Sequence, residues 1–154
     1  MKLITNIDKD NNHGTYISKL IESSNKIIIS SGWMKINGVK LLKKSLEKAL
    51  QNKAEITIYS NFKNNNTEEK ATVALKKHEG IKHILVKKGQ ILHSKIYYFE
   101  KDDTFTALIG SANITCGGLK ESEELSVEIS GNIGSDEQIE IRKYLNHLSE
   151  EYQK

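Results

Sequence analysis

The chain has 154 residues, a formal net charge of +3, 37% hydrophobic residues and 28% charged ones. That composition fits one soluble globular domain able to bury its own core. It excludes a membrane-spanning helix, because no apolar run approaches the ~20 residues a span needs.

In chain order the pattern alternates between strand and helix. Leu3 to Ile7 predicts a short strand. His13 to Ser23 predicts a helix, with Ile17, Leu20 and Ile21 at helical spacing. Lys26 to Ser31 is apolar on both faces, as a central strand should be. Gly38 to Gln51 predicts an amphipathic helix that buries Val39, Leu42, Leu46, Ala49 and Leu50. Ala54 to Ser60 predicts a strand and Asn61 to Asn66 a polar loop. A helix then follows with Thr67 as its cap, running to about His78 and closed by Gly80. Ile81 to Lys87, Gln90 to Glu100, Thr106 to Ile109 and Glu124 to Ser130 predict four further strands, with Lys101 to Thr104 as a hairpin turn between the second and third of them. Ser135 is placed to cap a last helix, with Gln138 completing a capping box and Ile139, Ile141, Tyr144, Leu145 and Leu148 on its buried face. Together these predict an α/β sandwich, residues 1–154 as one domain, with a mixed central sheet and helices on both sides.

Two of these strands carry residues that packing alone would not choose. His93 and Lys95 lie two apart in QILHSKIYYFE, so a strand would point imidazole and ammonium the same way. Two groups that can both be cationic do not share a core without an anion. The next strand ends in Gly110-Ser111-Ala112-Asn113, a hydroxyl and an amide at a strand tip. Histidine, lysine, serine and asparagine together offer donors and a nucleophile without a carboxylate cage. That set suits a phosphoryl group better than a divalent metal. Taken alone, Ser111 and Asn113 are equally ordinary turn residues.

His93-Ser94-Lys95 followed by Gly110-Ser111-Ala112-Asn113 resembles the HxK...GSxN signature of the phospholipase D superfamily, in its nuclease-like branch with one signature per chain. The likeness continues through Thr115, Gly118 and Leu119 to Glu124-Leu125, where many members place a supporting glutamate. It departs at Glu100, where the family usually has Asp, and in a longer gap before Gly110. The resemblance implies a phospholipase D-like fold and a metal- and cofactor-independent phosphodiesterase. In that scheme His93 is the nucleophile that forms a covalent phosphohistidine, Lys95 and Asn113 hold the phosphoryl oxygens, and Ser111 and Glu124 support them. The scheme uses two histidines, and no second His-x-Lys occurs in the chain. A two-fold homodimer with both copies of His93 in one site is therefore expected.

Six lysines between Lys76 and Lys95 lead into the signature, while Glu121 to Glu140 holds seven acids and no Lys or Arg. The basic segment, Lys87 and Lys88 above all, would steer a polyanion toward His93, although a lysine-rich surface alone would look the same. Trp33, at the end of a predicted strand, packs or else stacks a base. With Arg142 the single arginine, contacts to phosphate rather than to base edges are expected. The leading function is a DNA or RNA nuclease, with helicase or restriction components as candidate partners. The alternatives are a phospholipase or phosphatidyltransferase, against which no membrane-anchoring helix is visible, and a non-catalytic nucleic-acid-binding module. Leu3 to Asp8 forms no apolar signal core, and the single Cys116 cannot form an internal disulfide, so a cytoplasmic location is expected. Cys116 reads as buried filler, and His13, His78, His83 and His147 as surface or core residues.

Overall fold

The computed structural model of the protein describes residues 1–63 and 66–153. The predicted polar loop at 61–66 therefore lies partly outside the described residues. The elements are β1 (Lys2–Thr5), α1 (His13–Ser23), β2 (Lys26–Ser31), α2 (Ile36–Gln51), β3 (Glu55–Ser60), α3 (Glu69–Lys76), β4 (Ile81–Leu85), β5 (Lys95–Lys101), β6 (Thr104–Gly110), β7 (Leu125–Asn132) and α4 (Asp136–Tyr152), with a single π turn at Gly117–Glu121.

The seven strands form one mixed sheet in the order β1-β7-β6-β5-β2-β3-β4. β2, β3 and β4 run parallel, linked through α2 and α3, while β5, β6, β7 and β1 are antiparallel to their neighbours. β2 sits inside the sheet because Ile27, Ile28 and Ile29 supply apolar side chains to both faces. The hairpin between β5 and β6 turns on Asp102, whose φ of 51° is left-handed, a conformation aspartate tolerates.

The two faces are covered unequally. One core packs Ile17 and Ile21 of α1, Val39, Leu42, Leu46 and Ala49 of α2, and Ala71 and Leu75 of α3 against the sheet. The other face receives α4, through Ile141, Leu145 and Leu148. On that second face Leu3 pairs with Val127, which pairs in turn with Ile109, and Leu125 lies two residues from Val127. Leu3, Ile109 and Leu125 are exposed, Leu125 at 53%. An apolar corner of the sheet therefore lies beyond the reach of α4.

Several expected boundaries shift, each for a local reason. β1 ends at Thr5, because the Asn6 side chain turns to bond Gly118 O and Ser122 O. Thr67 does not cap α3. It forms a bridge with Met34 and donates to Gly32 O at 3.4 Å, and Glu68 takes the N-cap position. Gly80 is not a left-handed cap, since α3 ends at Lys76 and the positive-φ glycines are Gly89 and Gly134. Ser135 caps α4 as expected, but Gln138 accepts from Gly134 N rather than closing a box on Ser135. Ile139 and Tyr144 of α4 are exposed rather than buried.

Candidate active site

β2 ends where β5 begins, with Ser31 opposite Lys95. β5 and β6 pair Ile96 with Ile109, and β6 and β7 pair Gly110 with Ser126. One end of the sheet thus gathers the tip of β2, the approach to β5, the exit from β6 and the start of β7. The site is built there.

The predicted strand Gln90 to Glu100 begins only at Lys95, so His93 and Ser94 belong to the approach loop and not to the strand. Competing polar contacts explain this. Asn61 binds the backbone of Leu92 on both sides, donating to its O at 2.9 Å and accepting from its N at 2.7 Å. The loop is thereby fixed outside the sheet ladder. His93 and Lys95 still meet. Lys95 Nζ donates to His93 O at 2.9 Å and stands 3.3 and 3.2 Å from ring Nδ1 and Nε2. Ser94, in the same cleft, shares a 2.7 Å hydrogen bond with Ser30 Oγ and accepts one from Tyr144 OH at 2.6 Å. The middle residue of the His-x-Lys motif thus bolts the loop to β2 and α4.

The second half of the site is held as firmly. Tyr97, fully buried on β5, donates to Ala112 O at 2.9 Å, between Ser111 and Asn113. Burial, and secondarily the charge of Glu124, push its hydroxyl far above the ordinary tyrosine range, so it stays protonated and keeps the proton it donates to Ala112 O. Ser111 donates to the Glu124 carboxylate in a short hydrogen bond and accepts from Leu125 N at 3.1 Å. Asn113 Oδ1 accepts from Trp33 N at 3.2 Å and Ser31 Oγ at 3.4 Å. A backbone N–H can only donate, so it is the amide oxygen of Asn113, not its nitrogen, that faces Trp33.

Beneath the tip lies a buried network absent from the expected site. His13 is 0% exposed. Its Nδ1 lies 2.8 Å from Asn6 Oδ1 and its Nε2 2.9 Å from Ser126 Oγ. The amide oxygen only accepts, so Nδ1 carries the proton and Nε2 accepts from Ser126. Burial lowers the His13 pKa to about 4. Ser126 is the partner of Gly110, and a Cβ on Gly110 would stand 2.4 Å from Ser126 Oγ and 2.2 Å from Leu125 O. The glycine of the motif is thus required by close backbone approach.

His93, Lys95 and Ser111 line one open cleft of about 910 Å³, bordered by Leu125 and Tyr144. Glu124 joins through Ser111, and Asn113 through Ser31 and Trp33. Lys87 and Lys88 are exposed on the loop after β4 and do not line this cleft. Trp33 is 45% exposed, so it is not a core residue. Glu100 lies at the far end of β5, accepting from Tyr98 OH at 2.8 Å and 4.0 Å from Arg142, and takes no part in the site. Cys116 is only half-buried, with Glu121 and burial raising its thiol pKa. Among the described residues no three His, Cys, Asp or Glu side chains form a metal-holding group, and no helix is long and apolar enough to cross a membrane. Ser30, Ser31 and Asn61 carry no signal in the sequence beyond polarity at strand ends, which any turn also shows, and Tyr97 and Tyr144 read as core residues of β5 and α4.

No curated protein sequence matches the chain. Among solved structures it resembles NucT from Helicobacter pylori, with a TM-score of 0.75 at 13% identity, over 98% of this chain and 96% of that one. It also resembles Nuc from Salmonella typhimurium, a phospholipase D family member, with a TM-score of 0.70 at 15% identity, over 97% and 91%. Phosphatidylserine synthase from Haemophilus influenzae matches with a TM-score of 0.73 at 13% identity, but this chain covers only 39% of it. At such identities the shared property is the fold, a phospholipase D-like mixed sheet with flanking helices. The family described as the NgoFVII restriction endonuclease N-terminal PLD domain matches residues 10–152, nearly the whole chain. With the His93-x-Lys95 and Gly110-Ser111-x-Asn113 arrangement in place, the chain belongs to this restriction-endonuclease PLD-domain family, a nuclease-like branch of the phospholipase D superfamily.

Proposed function

We propose that the protein is a metal-independent nuclease that cleaves a phosphodiester of DNA or RNA through a covalent phosphohistidine, in a site completed by a second copy of the chain. One observation carries the reading. Lys95 is clasped to His93 in the same cleft as Ser111, and the backbone N–H of Trp33 fixes the Asn113 amide oxygen at the neighbouring strand tip. A nitrogen of His93 attacks phosphorus, forming a P–N bond as the P–O bond to the leaving group breaks. The partner subunit's His93 protonates that oxygen. It then takes a proton from water, whose oxygen displaces His93 from phosphorus. Lys95 and Asn113 bind the non-bridging oxygens where charge grows, and Glu124 holds Ser111 and the tip in place.

The exposed corner formed by Leu3, Ile109 and Leu125 supports the dimer. It adjoins the cleft, and an uncovered apolar sheet face beside a half-complete site is where a second copy gains most. The family's description favours nucleic acid over lipid as substrate, and restriction components over a helicase as companions. The test is incubation of supercoiled plasmid and single-stranded oligonucleotide with the protein in excess EDTA, beside His93→Ala. Cleavage by the wild type alone is expected. Cleavage by neither, with the protein folded and dimeric, overturns the nuclease reading. Hydrolysis of phosphatidylcholine or cardiolipin vesicles in its place would assign lipid chemistry.

A further inference from the structure

The three parallel strands end in register. Ser30 pairs with Tyr59 and Ser60 with Leu85, so Trp33, Phe62 and Lys87 leave the same end of the sheet, each two residues beyond its own strand. The pairing persists past the strand ends: Asn61 N donates to Gly32 O at 3.2 Å and Val86 N to Ser60 O at 2.9 Å. Gly32 and Asn61 are buried, whereas the next residue on each strand, Trp33 and Phe62, is 45% and 38% exposed. Two aromatic rings standing out of the same sheet end lose apolar burial to solvent without serving the core.

Both are wired to the site. Trp33 N holds Asn113, and Asn61, next to Phe62, holds the loop that carries His93. Neighbouring strands lie about 4.8 Å apart, so the row from the approach to β5 across Trp33 and Phe62 to Lys87 spans about 14 Å. Exposed Lys87 and Lys88 supply positive charge at its outer end.

We infer that this row is a binding track for single-stranded nucleic acid, with Trp33 and Phe62 each stacking an unpaired base and Lys87 and Lys88 meeting the backbone phosphates. A ring needs a free base face to stack on, and a duplex hides its base faces, so the track selects unpaired strands. The inference rests on the nuclease reading for its catalytic purpose, but binding tests it alone.

Trp33 is the single tryptophan of the chain, so its emission reports the track directly. His93→Ala protein is titrated with dye-labelled oligothymidylate, with an abasic strand of equal length and with a duplex, following both dye anisotropy and tryptophan emission. The base-bearing single strand is expected to quench Trp33 and to bind more tightly than the other two. Phe62→Leu is expected to weaken that binding about 5- to 100-fold, leaving the abasic strand unaffected, with Phe62→Tyr restoring it. Equal affinity for base-bearing and abasic strands overturns the track. So does binding seen by anisotropy while Trp33 stays silent, as it would if a second copy buried it. Wild-type cleavage in EDTA without these signals leaves the nuclease standing and removes the track. Quenching without cleavage does the reverse, and failure both to bind any strand and to cleave removes both.

Discussion

The backbone N–H of Trp33 donates to Oδ1 of Asn113 at 3.2 Å, and that bond fixes which end of the asparagine amide turns toward Trp33. Aspartate at this position would still accept from Trp33, so the tip would keep its shape. It would present an anion where the amide presents donors. Asn113→Asp is expected to lower kcat for phosphodiester cleavage by about 10²- to 10³-fold, the usual loss of one donor to developing oxyanion charge. The melting temperature should change little. A variant that melts normally and cleaves at the wild-type rate would remove Asn113 from the phosphoryl site.

Gly32 lies under the loop that carries His93. A Cβ there would stand 2.2 Å from Leu92 O, and Leu92 has nowhere to go because Asn61 holds both its backbone groups. Gly32→Ala is therefore expected to cost about 1–3 kcal/mol of stability as an overpacked contact. Activity should fall beyond that, as His93 shifts against Lys95. Urea unfolding and cleavage rates separate the two effects. Unchanged stability would show that the approach loop yields freely.

The bounds of α1 and β2 come out as read, because their patterns are local: helical spacing in one, isoleucines on both faces in the other. The His-x-Lys and Gly-Ser-x-Asn segments are brought to one end of the sheet. His93 was misplaced onto β5 because the contacts that lift it out of the strand come from Asn61, 31 residues from Leu92. The pairing of His13 with Ser126 spans 113 residues and is invisible to any periodicity. Tyr144 follows the apolar pattern of α4, yet its ring is exposed and its hydroxyl serves Ser94.

If two copies share one site, the exposed apolar corner carrying Leu3, Ile109 and Leu125 is where they are expected to meet. Leu125→Glu would place a charge in that apolar contact, at a position already exposed in the single chain. The variant is expected to sediment as a monomer, keep its fold and lose cleavage. A second measurement uses mixed subunits. Excess His93→Ala protein, equilibrated with wild type, should depress activity below simple dilution as heterodimers form. Activity that merely dilutes would mean each chain cleaves with its own histidine.

His13 makes stability depend on pH in a stated direction. Burial lowers its pKa from 6.5 to about 4 in the fold, where it bridges the uncharged Asn6 and Ser126. As pH falls below 6.5 the unfolded chain takes up a proton that the native ring refuses, so the unfolded state gains. The contribution of neutral His13 is full above 6.5, shrinks as pH falls, and is gone below about 4. By about pH 5 the loss is about 2 kcal/mol. His83, lowered to about 4 by burial and then by Lys76, adds in the same direction. Urea unfolding between about pH 7.5 and pH 5 should show this decline, and His13→Gln should flatten part of it while starting from lower stability. Because Ser126 adjoins Gly110, activity should decline with the fold across the same window. Parallel pH slopes for wild type and His13→Gln would mean that the ring is protonated as readily in the native state as in the unfolded one.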